Sequence, residues 1–457
     1  MIFQPRGRRG KISGIIIAVL SAFVAVSVYA ATDLKDAGDV SRFNIWLAQD
    51  KATGDWNGFR NSLNNSGLGI SSSYTIDVGG NPTGGLKQTV AYSACLYMAA
   101  NLDFEKMASI KGLALKVSNL LLSGQNLSTS TGSFYSVQEI YAPGSYYFGE
   151  LNLSLSILDD TFLFEMGRIF AGDIFAVPTF SQYYLNSSAN GPGTIESDVF
   201  FPHYNTAVWG VRATYQPNDD WYLMTGLYDA NQSAAKITNY GADFSFDMDE
   251  GYLAVSQLTY VHGQDRKRGA LPGSASFGAY YENSRFKNFS DLSNRRHGNY
   301  GFYLMADQTV YLGERLEFGG APNMGSGATP AESHAHPRYQ STIMPQRRPK
   351  ELGLWGGAVL APQENINAQT YEIAVGAVYY GLLPKRDRDA TAFCFVLGHF
   401  SPELEGQSDE MILELDHRFQ MGPWFYITPD IQYIINPNGK SDIADALVLG
   451  FEASFDF

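Results

Sequence analysis

The C-terminal eleven residues alternate with a period of two, and that period constrains the chain more than any other feature. Leu447, Leu449, Phe451, Ala453, Phe455 and Phe457 fall on one face, and Gly450, Glu452, Ser454 and Asp456 on the other. A helix would need apolar residues every three to four positions, so this is a strand with one oily side. The same parity recurs at Leu68, Ile70, Tyr74, Ile76 and Val78 against Ser71, Ser73, Thr75 and Asp77. It appears again at Leu151, Leu153, Leu155 and Ile157 against Glu150, Asn152, Ser154 and Ser156. Near the end Met411, Leu413, Leu415 and Phe419 oppose Glu414, Asp416 and Arg418.

Half-buried sheets of soluble sandwiches alternate too. Three features favour a membrane barrel: strands of about ten residues, enough to cross a bilayer when tilted; aromatics near strand ends, where interfacial girdles form; and a final strand ending in Phe457. Composition agrees. Only 17% of the 457 residues are charged, 14% are aromatic and 46 are Gly, against a usual charged share of about 25%. Beyond residue 30 no apolar run reaches the length of a spanning helix. The expectation is an all-β fold, a transmembrane antiparallel β-barrel of 16 strands over residues 67–457. It is preceded by a short N-terminal periplasmic segment, 31–66, in which Asp55 caps a helix with Trp56, Phe59 and Leu63 on one face and Gly67 at its end.

Residues 1–30 carry Arg6, Arg8, Arg9 and Lys11, an apolar run from Ile15, and Val28 and Ala30 at cleavage spacing, the pattern of a secretory signal peptide. Its removal leaves 28 basic against 46 acidic groups, a net charge of −18, which repels nucleic acid. The address is the outer membrane of a Gram-negative bacterium, with membrane lipid around the barrel. The Phe457 strand resembles the signal that barrel-assembly machinery reads. A homotrimer and a monomer are both compatible with the sequence. Short polar turns at 158–160, 216–220 and 420–423 are assigned to the periplasmic rim, and the long segments Ala171–Asn205 and Glu317–Leu352 to the outer rim.

If the outward set is apolar, polar residues of opposite parity line the lumen. The pore-lining, sugar-binding candidates are Arg212, Glu165, Asp77, Glu150, Glu414, Arg418 and Asp430, with Tyr97, Tyr426, Asp416 and Gln432 beside them. Carboxylate and guanidinium groups both hydrogen-bond sugar hydroxyls, and a pyranose face lies on an aromatic ring. The plainer alternative is that these groups keep a water column wet. No cofactor, metal or catalytic site is expected: Cys95 and Cys394 lack ligand spacing, His334 and His336 lack an adjacent partner set, and Ser233-Ala-Ala-Lys236 has no companion motif.

Several motifs resemble the OprB-type carbohydrate-selective porins. The pattern W-x-G-x-R-x-x-L, then Gly, Y-x-x-D and G-G, is matched by Trp56, Gly58, Arg60, Leu63, Gly67, Tyr74, Asp77, Gly84 and Gly85. Met166–Phe175 (MGRIFAGDIF), Tyr184–Ser188 (YLNSS), Val211–Asn231, Gly381–Asp389 (GLLPKRDRD) and Thr428–Gly439 (TPDIQYIINPNG) are similar to later elements of the family. The resemblance implies a 16-stranded barrel narrowed by an inward-folded loop, passing monosaccharides and related sugars by diffusion. Ala171–Asn205 is then the constriction-loop candidate, with Phe180, Tyr183, Tyr184 and Asn186 its prominent side chains. A general cation-preferring diffusion porin and an outer-membrane hydrolase are the alternatives.

Overall fold

The structure is a computed structural model, and it describes residues 42–191, 193–247, 249, 251–263, 270–313 and 350–457. The expected signal peptide and the His334/His336 pair lie outside these. A short helix, Arg42–Leu47, belongs to a unit ending at Ala48, and Gln49–Phe457 forms a second unit.

Sixteen strands make up the second unit: β1 (Leu68–Thr83), β2 (Val90–Asp103), β3 (Leu113–Gly124), β4 (Tyr146–Ile157), β5 (Phe162–Ile169), β6 (Val208–Tyr215), β7 (Trp221–Asp229), β8 (Tyr252–His262), β9 (Gly273–Lys287), β10 (Arg295–Leu312), β11 (Glu351–Leu360), β12 (Gln369–Tyr380), β13 (Ala390–Phe400), β14 (Asp409–Gly422), β15 (Phe425–Ile435) and β16 (Ala446–Asp456). Each pairs antiparallel with its sequence neighbours, and β16 closes on β1 with Asp77 opposite Glu452 and Tyr74 opposite Phe455. Closure leaves no sheet edge, the condition for strands to cross a bilayer, because every strand N–H and C=O must be satisfied internally. The alternation fixes the faces. Leu153, Leu223, Leu304, Leu354, Phe393 and Ile431 point outward and are exposed. Rings crowd both rims: Phe425 stacks on Phe455 at 4.5 Å and Trp221 packs on Tyr260 at 4.8 Å at the short-turn rim, while Tyr252 meets Tyr281 at the other.

Two expectations need correction. Strand parity puts the ends of the 313–350 connection, between β10 and β11, on the same rim as the turns at 158–161, 216–220 and 423–424. The described ends of that connection, Gly313 and Lys350 to Leu352, therefore sit on the short-turn rim and not on the outer rim that loop length suggested, because an antiparallel meander alternates rims strictly; residues 314–349 lie outside the described residues. Asp55 also does not start one continuous helix. Trp56–Gly58 form a 3-10 turn, Asn57 breaks it at φ 57, and the helix proper is Phe59–Asn65 with Gly58 before it at φ +89. Asp55 still satisfies the first turn, accepting from the Asn61 N–H at 3.2 Å and the Asn61 amide at 2.9 Å. Gly67, at φ +96, ends it. Arg60 lies over the Trp56 ring at 4.1 Å and donates to the carbonyl of Phe457 at 3.3 Å, so the first helix of this unit holds the last strand.

Candidate functional site

Two long connections on the rim opposite the short turns fold into the barrel. They are 125–145, between β3 and β4, and 170–207, between β5 and β6. Inward-facing positions of a water-filled barrel are polar, yet much of this inner wall is apolar. Ala374, Val378, Ala390, Ala392, Val396, Ile412, Ile434 and Val448 pack against Leu127, Tyr135, Val137, Phe180, Tyr183 and Tyr184 of the two connections. On the other side Val208, Met224, Leu253, Val255, Tyr303 and Val359 pack against Ala171, Phe175, Ile195, Val199 and Phe201. The barrel thus has a second core inside it, with the 170–207 loop as its filling.

The four loop candidates are the loop's anchors. Phe180 lies over Gly353, where a Cβ would come within 2.4 Å of the ring. Tyr183 meets Tyr380 edge-on at 5.7 Å and faces the Arg418 guanidinium at 4.9 Å. The Tyr184 hydroxyl accepts from the Trp355 indole at 2.8 Å and donates to the Phe393 carbonyl at 3.1 Å. Asn186 donates its amide to Gln432 at 2.8 Å and accepts from the Ser188 N–H. All four are buried against the wall.

The seven strand candidates all point inward and are all buried, in two groups. On β14, β15, β16 and β1, Glu414 accepts the backbone N–H groups of Leu185 and Asn186 at 2.6 and 3.0 Å. Arg418 donates to the Gln182 carbonyl, stacks on Tyr426 at 3.8 Å and pairs with Glu452 at 3.5 Å. Asp430 accepts from Gln432, and the Asp77 backbone carbonyl accepts from Gln138 of the 125–145 connection. These groups hold the loops. On β3 to β6, Arg212 forks onto Glu165 with two bonds of 2.7 Å and gives its remaining terminal nitrogen to the Phe170 carbonyl at 3.0 Å. Glu150 binds Lys116 at 2.5 Å.

Between β1–β3 and the two folded-in connections lies a cavity of about 260 Å³, lined by Ser73, Thr75, Cys95, Tyr97, Leu120, Ile140, Phe170, Asp173 and Tyr204. Lys116 reaches the Tyr97 ring at 5.9 Å. Asp173 is exposed to the lumen, yet enclosure within the barrel raises its carboxyl to about 6, with Glu150 adding to the rise and Lys116, His203 and Arg212 opposing it. Asp173, Tyr204 and Lys116 were not among the sequence candidates. Lys116 had a signal, a lone cation at inward parity in β3. The loop residues had none, since parity says nothing about a connection. Ser233 donates to Asp243 at 2.6 Å and braces its loop.

A closed, antiparallel, girdled barrel with its interior narrowed by folded-in loops defines a transmembrane channel. Residues 87–457 match the model of the carbohydrate-selective porin, OprB family, and the chain belongs to that family. It is 24% identical over 446 residues to the putative porin QuiX of Acinetobacter baylyi, covering 91% of this chain and 95% of that protein. It is 23% identical over 425 residues to Porin B of Pseudomonas aeruginosa, covering 87% and 89%. The fold matches the high-pH structure of Pseudomonas putida OprB with a TM-score of 0.76 at 20% identity, over 92% of this chain and all of that one. The protein is an outer-membrane porin selective for carbohydrate and not an enzyme.

Proposed function

We propose that sugars diffuse along the β1–β4 wall and are selected at the cavity beside Asp173, the observation that carries this reading. Its lining combines what a hexose needs: the Tyr97, Phe170 and Tyr204 rings for C–H faces, the Ser73 and Thr75 hydroxyls, and the Asp173 carboxylate next to the Lys116–Glu150 pair. Each polar group there can exchange a water hydrogen bond for one to a sugar hydroxyl, so passage needs little net desolvation. Arg212, with every terminal nitrogen engaged, acts as a positioning residue. It fixes Glu165 and the Phe170 carbonyl, and through the latter one side of the cavity. Glu414, Arg418, Asp430 and Asp77 act likewise on the adjoining β14–β1 wall, by holding the folded-in loops.

The test is bilayer conductance with glucose titrated in, alongside liposome swelling with mono- and disaccharides. Partial block of current and faster monosaccharide swelling are expected; a pore insensitive to every sugar overturns the assignment. Asp173→Asn should weaken the block, and an unchanged block removes Asp173 from the site. For assembly, we infer that the Phe457 strand is presented to the insertion machinery, and removal of Phe457 should lower the amount of protein reaching the outer membrane.

A further inference from the structure

Behind the constriction loop, acidic groups gather well beyond what the local cations balance. Asp77, Glu139, Glu414, Asp416, Asp430 and Glu452 lie within electrostatic reach of one another, with Arg418 the basic group among them. One oxygen each from Glu414, Asp416 and Asp430 lies within 4.8 Å of the other two, and all three residues are buried. Glu414 spends Oε1 on two loop N–H groups; its Oε2 has the Cys394 thiol at 3.7 Å.

The second observation is the state of the neighbouring oxygens. Among the described residues no N–H group or hydroxyl donates to either carboxylate oxygen of Asp416 or of Asp77, each 1% exposed, nor to Oδ1 of Asp430; Asp416 instead faces Asp430, and Asp77 faces Glu452, carboxyl to carboxyl. Burying a carboxylate without a donor is strongly unfavourable, so such groups are matched by a cation, a proton or a hydrogen bond. Gly450 sits beside this group: a Cβ there would stand 3.5 Å from Asp430 Oδ2, so the missing side chain leaves the Asp430 carboxylate uncrowded on the β16 side.

We propose that Glu414, Asp416 and Asp430 bind one Ca²⁺ between the inner wall and the constriction loop. All ligand atoms are carboxylate oxygens, the set a hard divalent cation takes. Ca²⁺–oxygen distances of about 2.3–2.6 Å put opposite ligands up to about 5 Å apart, matching the observed spread. Mg²⁺, with bonds of about 2.0–2.1 Å and octahedral demands, suits three positions on two strands less well. Glu414 also holds Leu185 and Asn186, and Asp430 is linked through Gln432 to Asn186. The ion would therefore tie the loop that narrows the pore to β14 and β15.

The experiment uses the purified full-length protein in detergent, stripped with EDTA and dialysed against labelled Ca²⁺. Uptake of about one Ca²⁺ per chain is expected, with affinity reduced about tenfold or more in Asp416→Asn. No uptake by the wild type, or equal affinity in D416N, overturns the proposal, since the carboxyl groups would then be balanced by protons. Terbium luminescence on the wild type alone guards against a variant that fails to fold. Emission sensitised by protein aromatics and displaced by Ca²⁺ but not Na⁺ supports the site, and absence of emission overturns it.

Discussion

At the scale of single residues, the inner wall is governed by pairing. Arg212 and Glu165 form a buried, bidentate pair, and truncating one partner strands the other's charge at a cost of about 3–5 kcal/mol. Arg212→Ala should therefore lower the unfolding midpoint and weaken sugar block together, whereas Arg212→Met with Glu165→Gln should recover most of the stability but not the block; thermal unfolding and bilayer titration check both. Asp173 makes a separate prediction. Its carboxyl, exposed to the lumen but raised to about 6 by enclosure within the barrel, is mainly charged at neutral pH and neutral below that value. Raised above its unfolded value, it destabilises the folded state when ionised, so its contribution to stability improves as pH falls through about 6. Cation preference should decline between pH 7 and 5 and lose that step in Asp173→Asn, as read from reversal potentials in a salt gradient.

Among the elements, the 170–207 connection decides the pore. Its anchors are aromatic rings and side-chain-bound N–H groups, spread over β8 to β15. Tyr184→Ala removes a buried ring packed on Trp355 at 5.5 Å and two hydrogen bonds, a loss of about 3–5 kcal/mol by analogy with other buried aromatics. The barrel ladder does not depend on it. The expected outcome is a folded barrel with a looser loop, which admits disaccharides faster in liposome swelling. Unchanged disaccharide rates would mean that the remaining anchors suffice. The helix Phe59–Asn65 is a smaller case of the same logic. Trp56 and Gly58 just before it and Arg60 within it were visible as a pattern, but Arg60, lying over the Trp56 ring, makes its contact with Phe457, hundreds of residues away.

For the whole molecule, closure and charge are the governing facts. An acidic excess of 18 charges over residues 31–457 should give ions passing the pore a cation preference that weakens as salt screens it. Strand parity also places Gly313 and Lys350 on the rim of the short turns, their backbones joined at 2.6 Å. If that rim is periplasmic, cysteines introduced at Lys350 and Asp219 should both resist an impermeant thiol reagent in intact cells and react once the outer membrane is opened. Labelling of both cysteines in intact cells would reverse the rim assignment.

The sequence by itself determined the wall. Four strands and their outward apolar and inward polar sets follow from a period of two, because a strand shows alternate residues to opposite faces whatever surrounds it, while the count of sixteen came from chain length and the family resemblance. It also marked Asp77, Glu150, Glu165, Arg212, Glu414, Arg418 and Asp430 as inward. Only the tertiary structure decided which of these meet the solute path and which are covered, since that depends on where two connections of irregular backbone settle inside the barrel. The same holds for Lys116 against Glu150, Glu414 against Leu185, and Asp173 against the cavity. Each joins parts of the chain whose proximity is set by closure and loop packing, and no local pattern encodes such a distance.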